Sequence, residues 1–174
     1  RLLANLGLSV PTGSVDERDK DDTGETITLP YSQQLGTGTY DLHPGISWLH
    51  QYDTWSWGTQ GQWRVHLGRN DEDWARSDEG ELSGWIAKSF SPAVAGSLRL
   101  RGYFWGDVHG SADELDPDVS PLNDRHRQGG ERYDLIGGLT WKFGQGYEAI
   151  RTLDIEVGKP ILEWIDGPGL STDI

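Results

Sequence analysis

The chain has 174 residues, the length of one domain, and it combines a lack of cysteine with a formal net charge of −13. Without cysteine, disulfides and thiolate chemistry are excluded, and so acidic a chain is a poor nucleic-acid ligand, because phosphate binding requires positive charge. No apolar run approaches the roughly 20 residues of a transmembrane helix. The sequence starts at Arg1 rather than Met, so we expect the biological chain to begin earlier.

Seven segments alternate apolar and polar residues with the period of two that is typical of β-strands. Segment 82–90 is ambiguous, because Trp85 and Ala87 interrupt the polar side of its pattern. Pro44 predicts a bulge or a strand boundary. The predicted strands are residues 1–10, 40–52, 55–68, 82–90, 97–108, 132–143 and 151–161, and the start of an eighth strand is predicted at Ser171.

The connections between these strands alternate between long and short. Three long acidic loops, residues 11–39, 69–81 and 107–131, together hold the whole net charge of −13. The short connections are residues 52–55, 91–96 and 144–146. Long loops at one end and tight turns at the other are typical of an outer-membrane barrel. The sequence therefore predicts one all-β domain over residues 1–174, an antiparallel up-and-down β-barrel in the bacterial outer membrane.

Aromatic residues are concentrated beside the short turns. On a barrel they would form one ring at the membrane interface, where an aromatic ring meets hydrocarbon while its N–H or O–H meets water. The alternative is a hydrophobic core that is rich in tryptophan. The predicted interface aromatics are Trp48, Tyr52, Trp55, Trp57, Phe90, Trp141 and Phe143, together with Tyr147.

The polar faces of the strands predict the lining of a water-filled lumen. On the apolar face Lys88, Arg151 and Lys159 break the alternation, but each is expected near a strand end, where a long side chain reaches the interface. Arg99 and Arg101 are the best candidates for a selectivity patch; the alternative is a charge ladder that holds adjacent strands together. The pore-lining candidates are Gln60, Gln62, Arg64, His66, Arg99, Arg101, Arg132, Asp134, Lys142, Asp154 and Glu156.

Five sequence motifs resemble the C-terminal part of the outer-membrane transporter-like barrels related to the MetA-pathway of phenol degradation. They are LGLSVPTGS at 6–14, LPYSQQLGTGTYDL at 29–42, PGISW at 44–48, WSWGTQ at 55–60 and GPGLSTDI at 167–174. The resemblance implies a Gram-negative outer-membrane barrel that passes small, often aromatic or hydrophobic, molecules. Its implied partners are membrane lipid, lipopolysaccharide and a small-molecule solute.

The predicted strand number implies that the barrel extends beyond this chain. A bacterial barrel closes with an even number of strands and leaves no free edge. Seven strands and the start of an eighth do not meet that condition, and the last strand stops at Ile174 without the aromatic terminus usual in the family. We therefore expect the chain to be part of a barrel of about 12 strands.

Motifs for catalysis or metal binding are weak, and we predict no catalytic residue, cofactor or metal. Asp19, Asp21, Thr23 and Gly24 match the start of an EF-hand loop, but Pro30 replaces its final glutamate. A second group of acidic residues is expected to be part of a solvated loop. The alternative is that these residues bind divalent ions that bridge to lipopolysaccharide. Its residues are Asp113, Glu114, Asp116 and Asp118.

Three other functions stay open at the level of sequence. A secreted β-sandwich could use exposed tryptophans as a platform for carbohydrate. A barrel-embedded hydrolase could pair His66 with a serine across strands. A β-rich assembly could form through the two open strand edges of the chain.

Overall fold

The computed structural model describes residues 1–21, 23–144 and 151–167, and strands form most of their regular structure. Three short 3₁₀-helices, Tyr31–Gln33, Pro121–Asn123 and Arg125–Arg127, complete the regular elements of this part. No helix among the described residues has the length and apolarity to cross a bilayer. The strands are β1 (Leu2–Ser9), β2 (Arg18–Lys20), β3 (Thr26–Thr28), β4 (Tyr40–Tyr52), β5 (Trp55–Leu67), β6 (Trp74–Ala75), β7 (Glu79–Ser89), β8 (Val94–Trp105), β9 (His109–Gly110), β10 (Gly130–Phe143) and β11 (Arg151–Ile165).

Seven of these strands form one antiparallel sheet in the order β1-β4-β5-β7-β8-β10-β11. They are the seven strands that the period-two alternation predicts, and the sheet confirms the all-β antiparallel prediction. Successive long strands are neighbours, so the long and short connections lie at opposite ends of the sheet. Within the described residues β1 and β11 each pair on one side only. The predicted strand start at Ser171 and Tyr147 lie outside the described residues.

Several predicted boundaries are wrong, mostly because a strand extends further than its alternation suggests, although β8 ends at Trp105, before the predicted residue 108. Strand β7 begins at Glu79 and β10 at Gly130, so the second and third long loops end at residues 78 and 129. Charged residues at these strand starts interrupt the apolar alternation, so the sequence does not indicate a strand there. In the sheet, Glu79 is nevertheless the ladder partner of both Arg64 and Trp105. Likewise β8 begins at Val94, within the predicted turn, and β11 continues to Ile165.

Pro44 lies inside β4 and causes neither a bulge nor a boundary. The β4–β5 register is the same on both sides of it, with Leu42 opposite Val65 and Gly45 opposite Gln62. The ladder only omits Pro44 and the residue before it, because proline has no N–H to donate. A bulge lies instead in β11 between Pro160 and Leu162, where Ile161 is the extra residue.

The sheet exposes its apolar face and buries parts of its polar face. Leu6 is 73% exposed and Leu98 is 51% exposed, whereas Asp134 is 3% exposed. The predicted interface aromatics are also exposed, so the alternative of a tryptophan-rich core is wrong. The register resolves the ambiguity in β7, since Leu82 and Ile86 share the apolar face with their partners on β5 and β8. This arrangement is the reverse of a half-buried sheet in a water-soluble protein.

The three long loops pack together into one unit, the loop cap, which comprises residues 10–39, 68–78 and 106–129. Tyr31 and Trp74, from two different loops, meet edge to face at 5.1 Å between ring centroids. The third loop joins them through Ala112, whose backbone N–H donates to the Tyr31 hydroxyl at 3.1 Å. All buried hydrophobic residues of the described chain belong to this cap, namely Tyr31, Trp74, Ala75, Val108, Ala112 and Leu115.

Polar contacts also hold the acidic loops together. Both carboxylate oxygens of Glu114 accept from Arg18, at 2.8 and 2.9 Å, and Glu114 also accepts from the Thr28 hydroxyl. Asp21 accepts from both the backbone and the hydroxyl of Thr23, which closes the β2–β3 turn. The Thr23 hydrogen bonds hold the pKa of Asp21 below its ordinary value. Glu114 is therefore more than a solvated loop residue, and the Asp21 carboxylate has a local structural role.

Candidate functional site

The polar face brings all eleven predicted pore-lining residues onto one side of the sheet. The register aligns Asp41 with His66, Ser83 with Arg101 and Gly138 with Glu156, and the remaining candidates follow in alternate positions. Trp85 also lies on this face, with the Arg99 guanidinium 5.8 Å from its ring centroid. That the face lines a pore stays a prediction.

An ion-pair cluster around the buried carboxylate of Asp134 lies in the middle of this face. Arg101 donates to one carboxylate oxygen of Asp134 from Nη2 at 2.5 Å and from Nε at 3.0 Å, and Arg132 donates to the other oxygen at 2.8 Å. Further along, Arg99 lies 3.6 Å from Glu156, a residue of β11. Because Arg101 contacts a carboxylate on the neighbouring strand β10 and Arg99 contacts one on the next strand, β11, these contacts favour the charge-ladder interpretation over a free selectivity patch.

A second polar cluster lies where the sheet meets the loop cap. Glu79 accepts from Tyr103 at 2.7 Å and from Arg64 at 3.3 Å. Nearby, Arg76 donates to the backbone carbonyl of Tyr31 at 3.1 Å. Glu79, Tyr103 and Arg76 are not among the site residues that the sequence predicts. Glu79 and Arg76 lie inside a predicted loop. The one sequence signal for Tyr103 is its position two residues after Arg101, which places it on the same face of the strand.

His66 is buried, with its side chain 2% exposed, but it lacks the contacts of a catalytic base. Its Nε2 lies 3.9 Å from Asp41 and its Nδ1 lies 3.9 Å from Asp78, both beyond hydrogen-bond distance. Neither ring nitrogen has a hydrogen-bond partner among the described residues. The Asp41 carboxylate instead accepts from the Thr39 hydroxyl at 2.7 Å. With no serine hydroxyl bonded to His66, the described geometry does not support the hydrolase alternative.

Three solvent-open cavities meet around this second cluster. A cavity of about 400 Å³ is lined by Arg64 and Arg76 and by residues of the first long loop. A cavity of about 190 Å³ lies between Arg76, Glu79 and Trp105, and one of about 170 Å³ lies between Arg64, Glu79 and Tyr103. Arg64, Arg76 and Glu79 each line two of the three cavities. The cap therefore leaves space above the polar face.

The apolar face has two bands of aromatic residues, of which the sequence predicts one. The predicted lower band contains Trp48 and Trp57, whose rings meet edge to face at 4.8 Å. An upper band near the loop cap contains Phe104, Tyr133 and Trp164, with centroid distances of 5.7 Å and 6.3 Å along the row. The remaining upper-band residues, which share this face, are Tyr40 and Trp63.

The charged residues of the apolar face lie partly where the sequence predicts them. Lys88 is at the end of β7, with its ammonium 4.8 Å from the Trp55 ring centroid, and Arg151 is the first residue of β11. The expectation for Lys159 is wrong, because β11 continues to Ile165 and Lys159 lies opposite Leu135 within the strand.

Within the part of the chain that the structure describes, no three His, Asp or Glu side chains are grouped so as to hold a metal ion. Comparison of the chain with protein-family models, with curated protein sequences and with solved structures finds no match in any of the three. The family resemblance of the sequence motifs therefore stays a prediction.

Proposed function

We propose that the chain forms most of the wall of an outer-membrane β-barrel that acts as a channel or passive transporter for small molecules. The observation that supports this proposal best is the exposed apolar face between two aromatic bands. In water such a face is costly, because the free energy falls when apolar surface is removed from water. In a bilayer the same face would contact hydrocarbon, and the two aromatic bands would lie at the two membrane interfaces.

The separation of the bands agrees with the thickness of an outer membrane. Eight residues separate the two bands on each of three strands, from Tyr40 to Trp48, from Trp55 to Trp63 and from Tyr133 to Trp141. At roughly 3.4 Å per residue this is about 27 Å along a strand. A tilt of about 40° reduces it to about 21 Å across the membrane, close to the apolar band of about 25 Å in such barrels.

The polar face then encloses the aqueous path, and the loop cap lies on the side of the longer, extracellular loops. Transport along this path needs no catalyst, since the lumen provides the width and its side chains provide the barrier. The edges of β1 and β11 would be closed by further strands of the barrel, about 12 in total, because an unpaired edge is not tolerated in lipid. Membrane lipid, lipopolysaccharide and a small solute are the proposed partners.

Extraction and permeation of the full-length protein test this proposal. We expect the protein to require detergent and to migrate faster in gels before heating than after heating, as a folded barrel does. Vesicles that contain it should swell in small solutes, whereas vesicles with the heat-unfolded protein should not. A folded, heat-modifiable barrel that admits no solute would contradict the channel, and a protein soluble without detergent would contradict the barrel itself.

A further inference from the structure

We propose that Arg64 and Arg76 form a binding site for a small oxyanion, a carboxylate or a phosphate, beneath the loop cap. The inference rests on the proposed function, because it assigns solute recognition to one place on the polar face. Both guanidinium groups line the cavity of about 400 Å³, together with Thr12, Thr37 and Asp41. A cavity that polar and that open to solvent is suited to a hydrated, charged ligand.

Arg64 is held in place but keeps unused donor capacity. Its contact with Glu79 is 3.3 Å long, compared with about 2.7–2.9 Å for a strong charge-assisted hydrogen bond. The same Glu79 oxygen also accepts from Tyr103. The Nε of Arg64 is buried and has no hydrogen-bond partner among the described residues. The Arg64 side chain as a whole is 42% exposed, so part of its donor capacity is accessible to a ligand.

Arg76 has even more unused capacity. Its one hydrogen bond in the described residues goes to the Tyr31 carbonyl, and it forms no ion pair there. Since Tyr31 belongs to the buried core of the cap, this bond fixes where the guanidinium lies. Guanidinium presents five N–H donors in a planar fork that matches a carboxylate or a phosphate. Most of that fork is left to the cavity.

Acidic neighbours compensate these two arginines only in part, since Glu79 contacts Arg64 at 3.3 Å and Arg76 forms no ion pair among the described residues. Asp41, which lines the same cavity, accepts from Thr39 and forms no hydrogen bond to either arginine among the described residues, whereas Asp134 accepts two hydrogen bonds from Arg101. The cap as a whole is acidic, with 16 acidic and 6 basic residues. Its field opposes a free anion, so contact with the two arginines has to supply the attraction, and the resulting affinity is modest. Modest affinity suits a channel, where a solute has to bind and also leave.

Titration of the detergent-solubilised, full-length protein tests the site by calorimetry, with sodium acetate and inorganic phosphate in separate arms. We expect at least one of the two anions to bind, and the stronger arm identifies the preferred class. Arg64→Gln and Arg76→Gln should each weaken binding about ten- to hundredfold, the effect of losing a charged hydrogen bond. Arg69→Gln is the matched control, because Arg69 lies in the same loop as Arg76, has the same charge and lines none of the three cavities.

The outcomes separate the site from the barrel that contains it. Absence of binding by both anions, or equal weakening by Arg69→Gln, overturns the site. Arg76→Lys keeps the charge but loses the fork, so it should weaken binding while the heat-modifiable migration is unchanged. Permeation that persists without anion binding rejects the site alone, whereas loss of all permeation in the unmodified protein rejects the proposed channel first.

Discussion

Replacing Leu100 with arginine tests directly whether the apolar face contacts hydrocarbon. Leu100 lies in β8, four residues from Phe104 of the upper band and four residues from Gly96. The ring of Phe90, from the lower band, covers the position that a Gly96 side chain would take. Leu100 is therefore midway between the bands, and it is 49% exposed on the face that it shares with Leu135.

The expected change in the free energy of unfolding differs between hydrocarbon and water. At the midplane of an outer membrane an arginine on the lipid face costs about 2–4 kcal/mol. In water, replacing a half-exposed leucine with arginine alters the free energy of unfolding by about 0.5 kcal/mol or less. The membrane value corresponds to a change of about 30- to 700-fold in the ratio of folded to unfolded protein, large enough to measure without ambiguity.

Chemical denaturation of the full-length protein in lipid vesicles measures this difference, with heat-modifiable migration as the readout of the folded fraction. Leu35→Arg is the control, because Leu35 is 75% exposed and lies in the loop cap, outside the two bands. We expect Leu100→Arg to lower the free energy of unfolding by about 2–4 kcal/mol and Leu35→Arg to change it by about 0.5 kcal/mol or less. Equal effects of the two variants would refute the reasoning, since hydrocarbon would then not cover Leu100.

Three further changes address the polar face and the cap. Asp134→Asn should cost about 1–3 kcal/mol in the same titration, because the buried carboxylate that accepts from Arg101 and Arg132 is lost, while Asp154→Asn at an exposed site should cost much less. Trp74→Ala should destabilise the loop cap by about 3–5 kcal/mol, seen as faster loop proteolysis with the heat-modifiable migration of the sheet unchanged. The double change Arg99→Ser with Arg101→Ser should shift the reversal potential towards cation selectivity, and an unchanged potential would remove both residues from the permeation path.

The strands were predictable because their signal is local. Alternation with a period of two marks which residues share a face, and the register of β1 with β4 keeps Leu2, Ala4 and Leu6 together on one side. The same local signal fails where charge interrupts it, as at Glu79. At Pro44 the alternation is right, and the expectation from the proline itself fails, because β4 tolerates a missing N–H by omitting two ladder positions.

The upper aromatic band and the loop cap were not predictable, since both depend on contacts between distant segments. Tyr133 and Trp164 are 31 positions apart in sequence, and the bulge at Ile161 decides that Trp164 reaches the apolar face. Likewise, Tyr31 and Trp74 lie in loops whose composition indicates solvated turns. For the site, the sequence indicated Arg64 as one of many lumen residues, but its proximity to Arg76 follows only from the packing of the cap.

The exposed tryptophans favour the proposed barrel over a carbohydrate-binding sandwich. A sandwich would cover the apolar face with a second sheet, but the described residues form one sheet of seven strands and two small ones of two strands. A sugar platform would need a few rings in one patch, whereas here Trp57 and Trp164 belong to separate rows with aliphatic residues between them. Pairing of copies through open edges would leave Leu98 and Leu139 in water. The proposed hydrocarbon environment, bounded by two interfaces, accounts for both the largely apolar centre and its aromatic margins.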